Sequence, residues 1–126
     1  MKIIRVKDWY KFFKNFISIN IIGYICALKA WFLNDKLHRI DGPAIKYFNG
    51  TKFWYLNNKR HRVDGPAIEW ANGDKHWYLN DKRHRIDGPA IEWVSGYKEY
   101  WINGERVSKE AQEVLYGFYK LKGIKK

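Results

Sequence analysis

Short runs of alternating apolar and polar residues, broken by turn-forming pairs, fill the middle of this chain and return every 23 residues. Three copies follow one another: WFLNDKLHRIDGPAIKYFNGTKF (31–53), WYLNNKRHRVDGPAIEWANGDKH (54–76) and WYLNDKRHRIDGPAIEWVSGYKEYW from 77. Alternation with Asn49-Gly50, Asn72-Gly73 or Ser95-Gly96 between β-rich runs predicts one hairpin per unit. Asn34-Asp35, Asn57-Asn58 and Asn80-Asp81 tolerate positive φ and predict a second tight turn. All three prolines, Pro43, Pro66 and Pro89, fall at one place in the unit and mark strand starts, because proline cannot donate to a ladder. A period of this length marks units that bury their apolar faces on their neighbours.

The period continues past the three copies. Tyr100-Trp101-Ile102-Asn103-Gly104 is a half-unit, and Ile21-Ile22-Gly23-Tyr24 aligns with Ala44-Ile45-Lys46-Tyr47, so 21–33 reads as a degraded first hairpin. Trp9, Phe12, Phe13 and Phe16 recur at helical spacing behind Asp8, predicting an N-terminal helix within 1–20. Ser108 as N-cap, with Ala111, Val114, Leu115, Phe118 and Leu121 as an apolar stripe, predicts a C-terminal helix within 105–126. The expected fold is mainly β with flanking helices (α+β). It is one domain over 1–126: a single twisted antiparallel meander whose terminal helices cap or cover the sheet. The free sheet edge offers a route to a homo-oligomer.

Within a strand, neighbours face opposite ways. Trp31, Trp54, Trp77 and Tyr100 form one expected row, accompanied by Leu33, Leu56, Leu79 and Ile102, and this row is expected to face the core. Phe32, Tyr55, Tyr78 and Trp101 form the opposite row. A half-exposed row of Tyr55, Tyr78 and Trp101 would suit a binding surface.

The formal charge of +11 over 126 residues invites a nucleic-acid reading. Its placement changes that reading: residues 1–30 hold six Lys/Arg against one Asp, while 77–100 hold four against four. The repeats are nearly neutral and the ends are basic. Residues 15–28 carry no charge and follow a basic start, as the apolar part of a signal peptide would. The run is shorter than the about 20 residues of a membrane span, and its alignment with the repeat favours a buried β-segment, so a membrane partner is not expected.

His38, Arg39 and Asp41, His61, Arg62 and Asp64, and His84, Arg85 and Asp87 recur as His-Arg-x-Asp. Asp can cap its turn or pair with Arg, and Arg can stack on a neighbouring ring. Aligned Arg and His could also hold phosphates. The histidines stand about 10 Å apart on a sheet, too far to share one metal at a Zn–N distance of about 2 Å. No cofactor or metal is expected. Cys26 lies in an apolar run, Ser18, Ser95 and Ser108 lack an activating elbow, and Glu69 and Glu92 are a repeat apart, so no enzyme is expected.

The HRIDGPA and HRVDGPA cores, with the W-Y-L-N segments and N-G turns around them, resemble the His-Arg-x-Asp-Gly-Pro-Ala repeat proteins of bacteriophages and large DNA viruses. A looser similarity is to MORN repeats, which share the period; here Arg-Ile-Asp or Arg-Val-Asp replaces their glycines after His. The resemblance implies stacked hairpins and a viral protein acting in the host cytoplasm. A host protein is its expected partner and a nucleic acid or nucleotide the alternative. Arg39, Arg62, Arg85, His38, His61, His84, Tyr55, Tyr78 and Trp101 are the candidate binding residues.

Overall fold

The structure, a computed structural model, describes residues 2–5 and 27–123. Within 1–20, where a helix is expected, residues 2–5 instead form a strand; the positions with helical spacing (9–16), the first half of the degraded hairpin (21–26) and the tail 124–126 lie outside the described residues. The fold is mainly β: a long antiparallel meander with one C-terminal helix.

Each repeat contributes two hairpins that share one long strand direction. Strands β1 (Lys2–Arg5), β2 (Ala27–Leu33), β4 (Ile45–Tyr47), β5 (Lys52–Phe53), β8 (Ile68–Glu69), β9 (Lys75–His76), β12 (Ile91–Glu92), β13 (Lys98–Ile102) and β14 (Glu105–Val107) follow one another across the main sheet. Beside it runs a second line of hairpins. In it β3 (Lys36–Leu37) pairs with β2, β7 (Lys59–Arg60) with β6 (Tyr55–Leu56), and β11 (Lys82–Arg83) with β10 (Tyr78–Leu79).

Trp31, Trp54 and Trp77 join the two lines. Each donates its backbone N–H to Ala44, Ala67 or Ala90 at 2.8 Å, and its carbonyl accepts from His38, His61 or His84 at 3.1–3.2 Å. The Ala follows Pro in the unit, so the proline ring stands just before the paired carbonyl.

The two turns divide the backbone chemistry. At Asn49-Gly50, Asn72-Gly73 and Ser95-Gly96 only the glycine has positive φ (93°, 100° and 88°). Tyr47 N–H bonds Thr51 O and Gly50 N–H bonds Tyr47 O, giving a type I turn closed by a left-handed glycine. At the second turn both residues are left-handed, as in Asn57 (51°) and Asn58 (65°), which is the type I′ requirement. These residues also fasten one repeat to the last. Asn58 N–H donates to Leu37 O while Leu37 N–H donates to Asn58 Oδ1, and Asp81 repeats both bonds with Arg60.

The register pairs Ile45 with Phe53, Phe53 with Ile68, and His76 with both Ile68 and Ile91. These residues therefore share one face, here the Ile face, with Tyr55 and Tyr78 two positions along. Ile45, Ile68, Ile91 and Tyr78 are buried, with Ala30, Ala44, Ala67 and Ala90. Each buried isoleucine contributes about 1.5–3 kcal/mol. The Trp row is packed as expected, with Trp31 7% exposed and Trp54 against Ala67, Ile68 and Tyr78, but a second buried set corrects the expectation of a single core side. The isoleucines lie on the opposite side, and Leu33 is 38% exposed.

Helix α1 (Lys109–Leu121) starts at Ser108, whose Oγ accepts the Ala111 N–H at 3.1 Å. Glu110 sits in its first turn and Lys120 in its last, matching the helix dipole. Ser108 stands 23 positions after Arg85, so the helix begins where a fourth His-Arg-x-Asp loop would stand. It closes the end of the stack, as expected, but not through its apolar stripe. Gln112 is buried and its amide donates to Ile86 O, while Val114, Phe118 and Leu121 are exposed.

Candidate functional site

On the Trp face every repeat builds the same layered arrangement. The guanidinium of Arg39, Arg62 or Arg85 lies 4.0–4.1 Å above the ring of Trp31, Trp54 or Trp77. Its other side meets Gly42, Gly65 or Gly88, where an added methyl would stand 2.8–3.0 Å from Cζ. Nε donates to Asp41, Asp64 or Asp87 at 2.8–2.9 Å. Nη1 of Arg62 and Arg85 donates to Glu69 and Glu92 at 3.1 and 2.8 Å, and to Pro66 O and Pro89 O. In the first repeat Lys46 stands at the glutamate position. The hydrogen bond from Arg holds the carboxyls of Asp41 and Asp64 below the usual carboxylate range. The three Arg side chains are only 18–22% exposed, so an anion recruited by them would have to compete with carboxylates already in place.

The histidines also look inward along the stack. Nδ1 of His38 lies 2.9 Å from Asn57 Oδ1 and 3.3 Å from Asn57 N, and His61 stands likewise against Asn80. His84 Nδ1 accepts the Asn103 N–H at 3.0 Å. With Nδ1 protonated the ring donates to the carboxamide; unprotonated, it accepts the backbone N–H. Either tautomer of His38 or His61 finds a partner in the next repeat. Burial holds His84 below its ordinary value, opposed by its bond to Asn103. Among the described residues no three His, Cys, Asp or Glu side chains converge as a metal site.

The Ile face carries a feature that the sequence reading missed. Tyr47, Phe53, Trp70, His76, Trp93 and Tyr97 form a continuous ladder of rings, with successive centroids 5.1–6.2 Å apart. Four of the five contacts are edge-to-face, and the last is tilted. Trp70 and Tyr97 are 41% and 56% exposed, and Phe48 and Val94, which follow Tyr47 and Trp93 in the chain, are exposed as well. His76 Nε2 is buried between its two tryptophans with no hydrogen-bond partner among the described residues, and burial holds this imidazole below its ordinary value. Tyr47, Trp70 and Trp93 are themselves 23 residues apart, which is the signal that could have found them.

No family model, curated protein or solved structure matches this chain.

Of the expected binding residues, Tyr78 is buried, Tyr55 is half-buried, and burial pushes the Tyr55 phenol up. Arg60 lies 4.1 Å over Tyr78 and Arg83 4.8 Å over Trp101. The Tyr row is therefore packed under arginines, and the exposed aromatic surface is the ladder beside it. Arg60 is also tied to Asp81 at 2.6 Å. The structure keeps the His-Arg rows and the Tyr row on opposite faces, so they do not form one site.

Proposed function

We propose that this chain is a non-catalytic binding protein that meets a partner protein through the aromatic ladder of its Ile face. The carrying observation is the unbroken series from Tyr47 to Tyr97, with Trp70 and Tyr97 left substantially exposed. Tryptophan and tyrosine supply large contact area at low entropic cost, and residues of this kind dominate protein interfaces. Exposed apolar patches of this kind on a folded domain mark contact sites. The resemblance to viral repeat proteins would make the partner a host component met in the host cytoplasm.

A second reading, single-stranded nucleic acid, draws on Arg60, Arg83 and Arg106, which pair across strands with Tyr55, Tyr78 and Trp101 on this same face. Bases stack on aromatic rings and phosphates seek arginine. Against it, Arg60 and Arg106 already pair with Asp81 and Glu99.

One experiment separates the readings. The tagged chain and its Trp70→Ala/Tyr97→Ala variant are used to capture partners from infected host cells, and both eluates are read by mass spectrometry and by absorbance at 260 nm. A specific protein retained by the wild type and lost from the folded variant is the expected result. Salt-sensitive nucleic acid would support the second reading. Identical eluates from both chains would sink the proposal.

A further inference from the structure

On the Trp face of the main sheet, charged residues stand directly opposite one another from strand to strand. The register sets Arg5 against Lys29, Lys29 against Lys46, and Lys46 against Lys52. It then sets Lys52 against Glu69, places Lys75 between Glu69 and Glu92, and sets Glu92 against Lys98. From Lys52 onward the signs alternate, so each lysine faces a glutamate on an adjoining strand. Before it, four cations follow one another on four successive strands. Opposite charges across strands stabilise a sheet, and like charges destabilise it. The first repeat thus breaks a pattern that the next two keep.

The break lies at Lys46, which takes the position of Glu69 and Glu92. In the later repeats that glutamate gathers cations. Glu69 accepts from Arg62 Nη1 and from Lys52 Nζ, both at 3.1 Å, and Glu92 accepts from Arg85 Nη1 at 2.8 Å. The same Nη1 atoms also donate to Pro66 O and Pro89 O. Arg39 keeps its Asp41 bond at Nε and its stack on Trp31, but among the described residues its Nη atoms have neither of these further partners. Nor, among the described residues, does a carboxylate form an ion pair with Lys29 or Lys46. Lys29 is exposed and Lys46 half-buried.

We propose that this end of the Trp face, at Lys29, Arg39, Lys46 and Lys52, binds a small phosphate ligand, which supplies the negative charge that Glu69 and Glu92 supply in the later repeats. Phosphate suits the place because its several oxygens can accept from Arg39 Nη and from two ammonium groups at once. Residues paired across neighbouring strands, as Lys29 and Lys46 are, stand about 5 Å apart at Cβ, so their side chains can converge on one phosphoryl group. The ligand is compact. The cation row covers four strands, about 14 Å, and it is bounded by Glu69 on the next strand and by Asp41, whose side chain is 75% exposed. A nucleic-acid strand running on across the sheet would meet Glu69 and then Glu92. The site lies on the face opposite the aromatic ladder and does not depend on it.

The probe is inorganic pyrophosphate, titrated into the full chain at fixed ionic strength and followed by isothermal calorimetry. Saturable binding is expected. It should weaken about tenfold or more in Lys46→Glu, which removes a cation and installs the carboxylate of the later repeats. Lys82→Glu makes the same charge change at an exposed lysine of the third copy and should bind as the wild type does. Because Lys46→Glu also relieves the like-charge pairings, its melting temperature without ligand should equal or exceed that of the wild type. The absence of saturation up to about 1 mM, equal losses in the two variants, or a destabilised Lys46→Glu chain would overturn the proposal. So would a single-stranded oligonucleotide that binds more tightly than pyrophosphate, because the site would then read an extended polyanion.

Discussion

Each repeated arginine stands in a slot walled by a tryptophan ring, a glycine, an aspartate and, in two repeats, a glutamate. The pairing with Asp and the stacking on Trp were legible in the sequence, because spacing alone places those groups on adjoining segments. The role of Gly65 was not. It reads as turn punctuation, yet a methyl there would stand 2.8 Å from Arg62 Cζ. Gly65→Ala is accordingly expected to destabilise the chain by about 1–3 kcal/mol through overpacking, measured by urea unfolding. The truncated double variant Gly65→Ala/Arg62→Ala should lose no more than Arg62→Ala alone, because the clash disappears with the guanidinium; additive losses would disprove the sandwich. A second residue-scale prediction concerns His76. Burial holds its imidazole below its ordinary value of 6.5, so the folded chain resists the proton that the unfolded chain accepts. Its contribution to stability is complete above about pH 6.5 and is lost as pH falls from there toward the lower folded value. Melting temperature should drop between pH 7.5 and 5.5, with His84 adding in the same direction, and His76→Phe should flatten part of that slope. An unchanged slope in His76→Phe would place the titrating group elsewhere.

Hairpins and helix α1 show where element-level reading stops. Alternation and turn pairs located both hairpins of the unit, and Ser108 located the start of α1, because these signals are local. The covered face of α1, which is that of Gln112 and not the apolar stripe, was not set locally. Which side of a helix is covered depends on what the end of the sheet offers, and here the last loop offers Ile86 O to Gln112. The aromatic ladder stayed hidden for a related reason. Its rings come from alternate strands, Tyr47, Trp70 and Trp93 from one set and Phe53 and His76 from the other, so only the register brings them together. If α1 is held by this polar anchor, Gln112→Ala should release it. The expected cost is about 1–3 kcal/mol for the unsatisfied carbonyl, with faster amide exchange over 109–121. Val114→Ser, on the exposed side at 60% exposure, should leave both stability and exchange close to wild type. Equal effects from the two substitutions would mean that the stripe, not Gln112, holds the helix.

At the scale of the whole molecule, the described repeats form a one-dimensional array in which backbone and side-chain bonds tie each unit to its neighbours. Backbone bonds cross from one repeat to the next at fixed offsets: Arg39 N–H to Tyr55 O, Arg62 N–H to Tyr78 O and Arg85 N–H to Trp101 O. Side chains cross in the same way, from Arg60 to Asp81 and from His61 to Asn80. The charge partition fits this picture, since a nearly neutral array avoids repulsion between stacked units while the basic surplus lies at the ends. Nearest-neighbour stability predicts a sharp dependence on register. Inserting a second copy of residues 54–76 directly after His76 adds one complete unit, and every crossing bond finds its equivalent partner. That chain should fold, with a larger urea m-value because more surface is buried, and with a melting temperature at least equal to the original. Inserting only residues 54–64 offsets the array by half a unit, sets Arg against the wrong strand, and moves isoleucines off the buried face. This second chain should lose its cooperative transition, read by circular dichroism at rising temperature. If both insertions unfold the protein, stability is held globally and not by neighbouring repeats. If both are tolerated, the crossing bonds do not set the register.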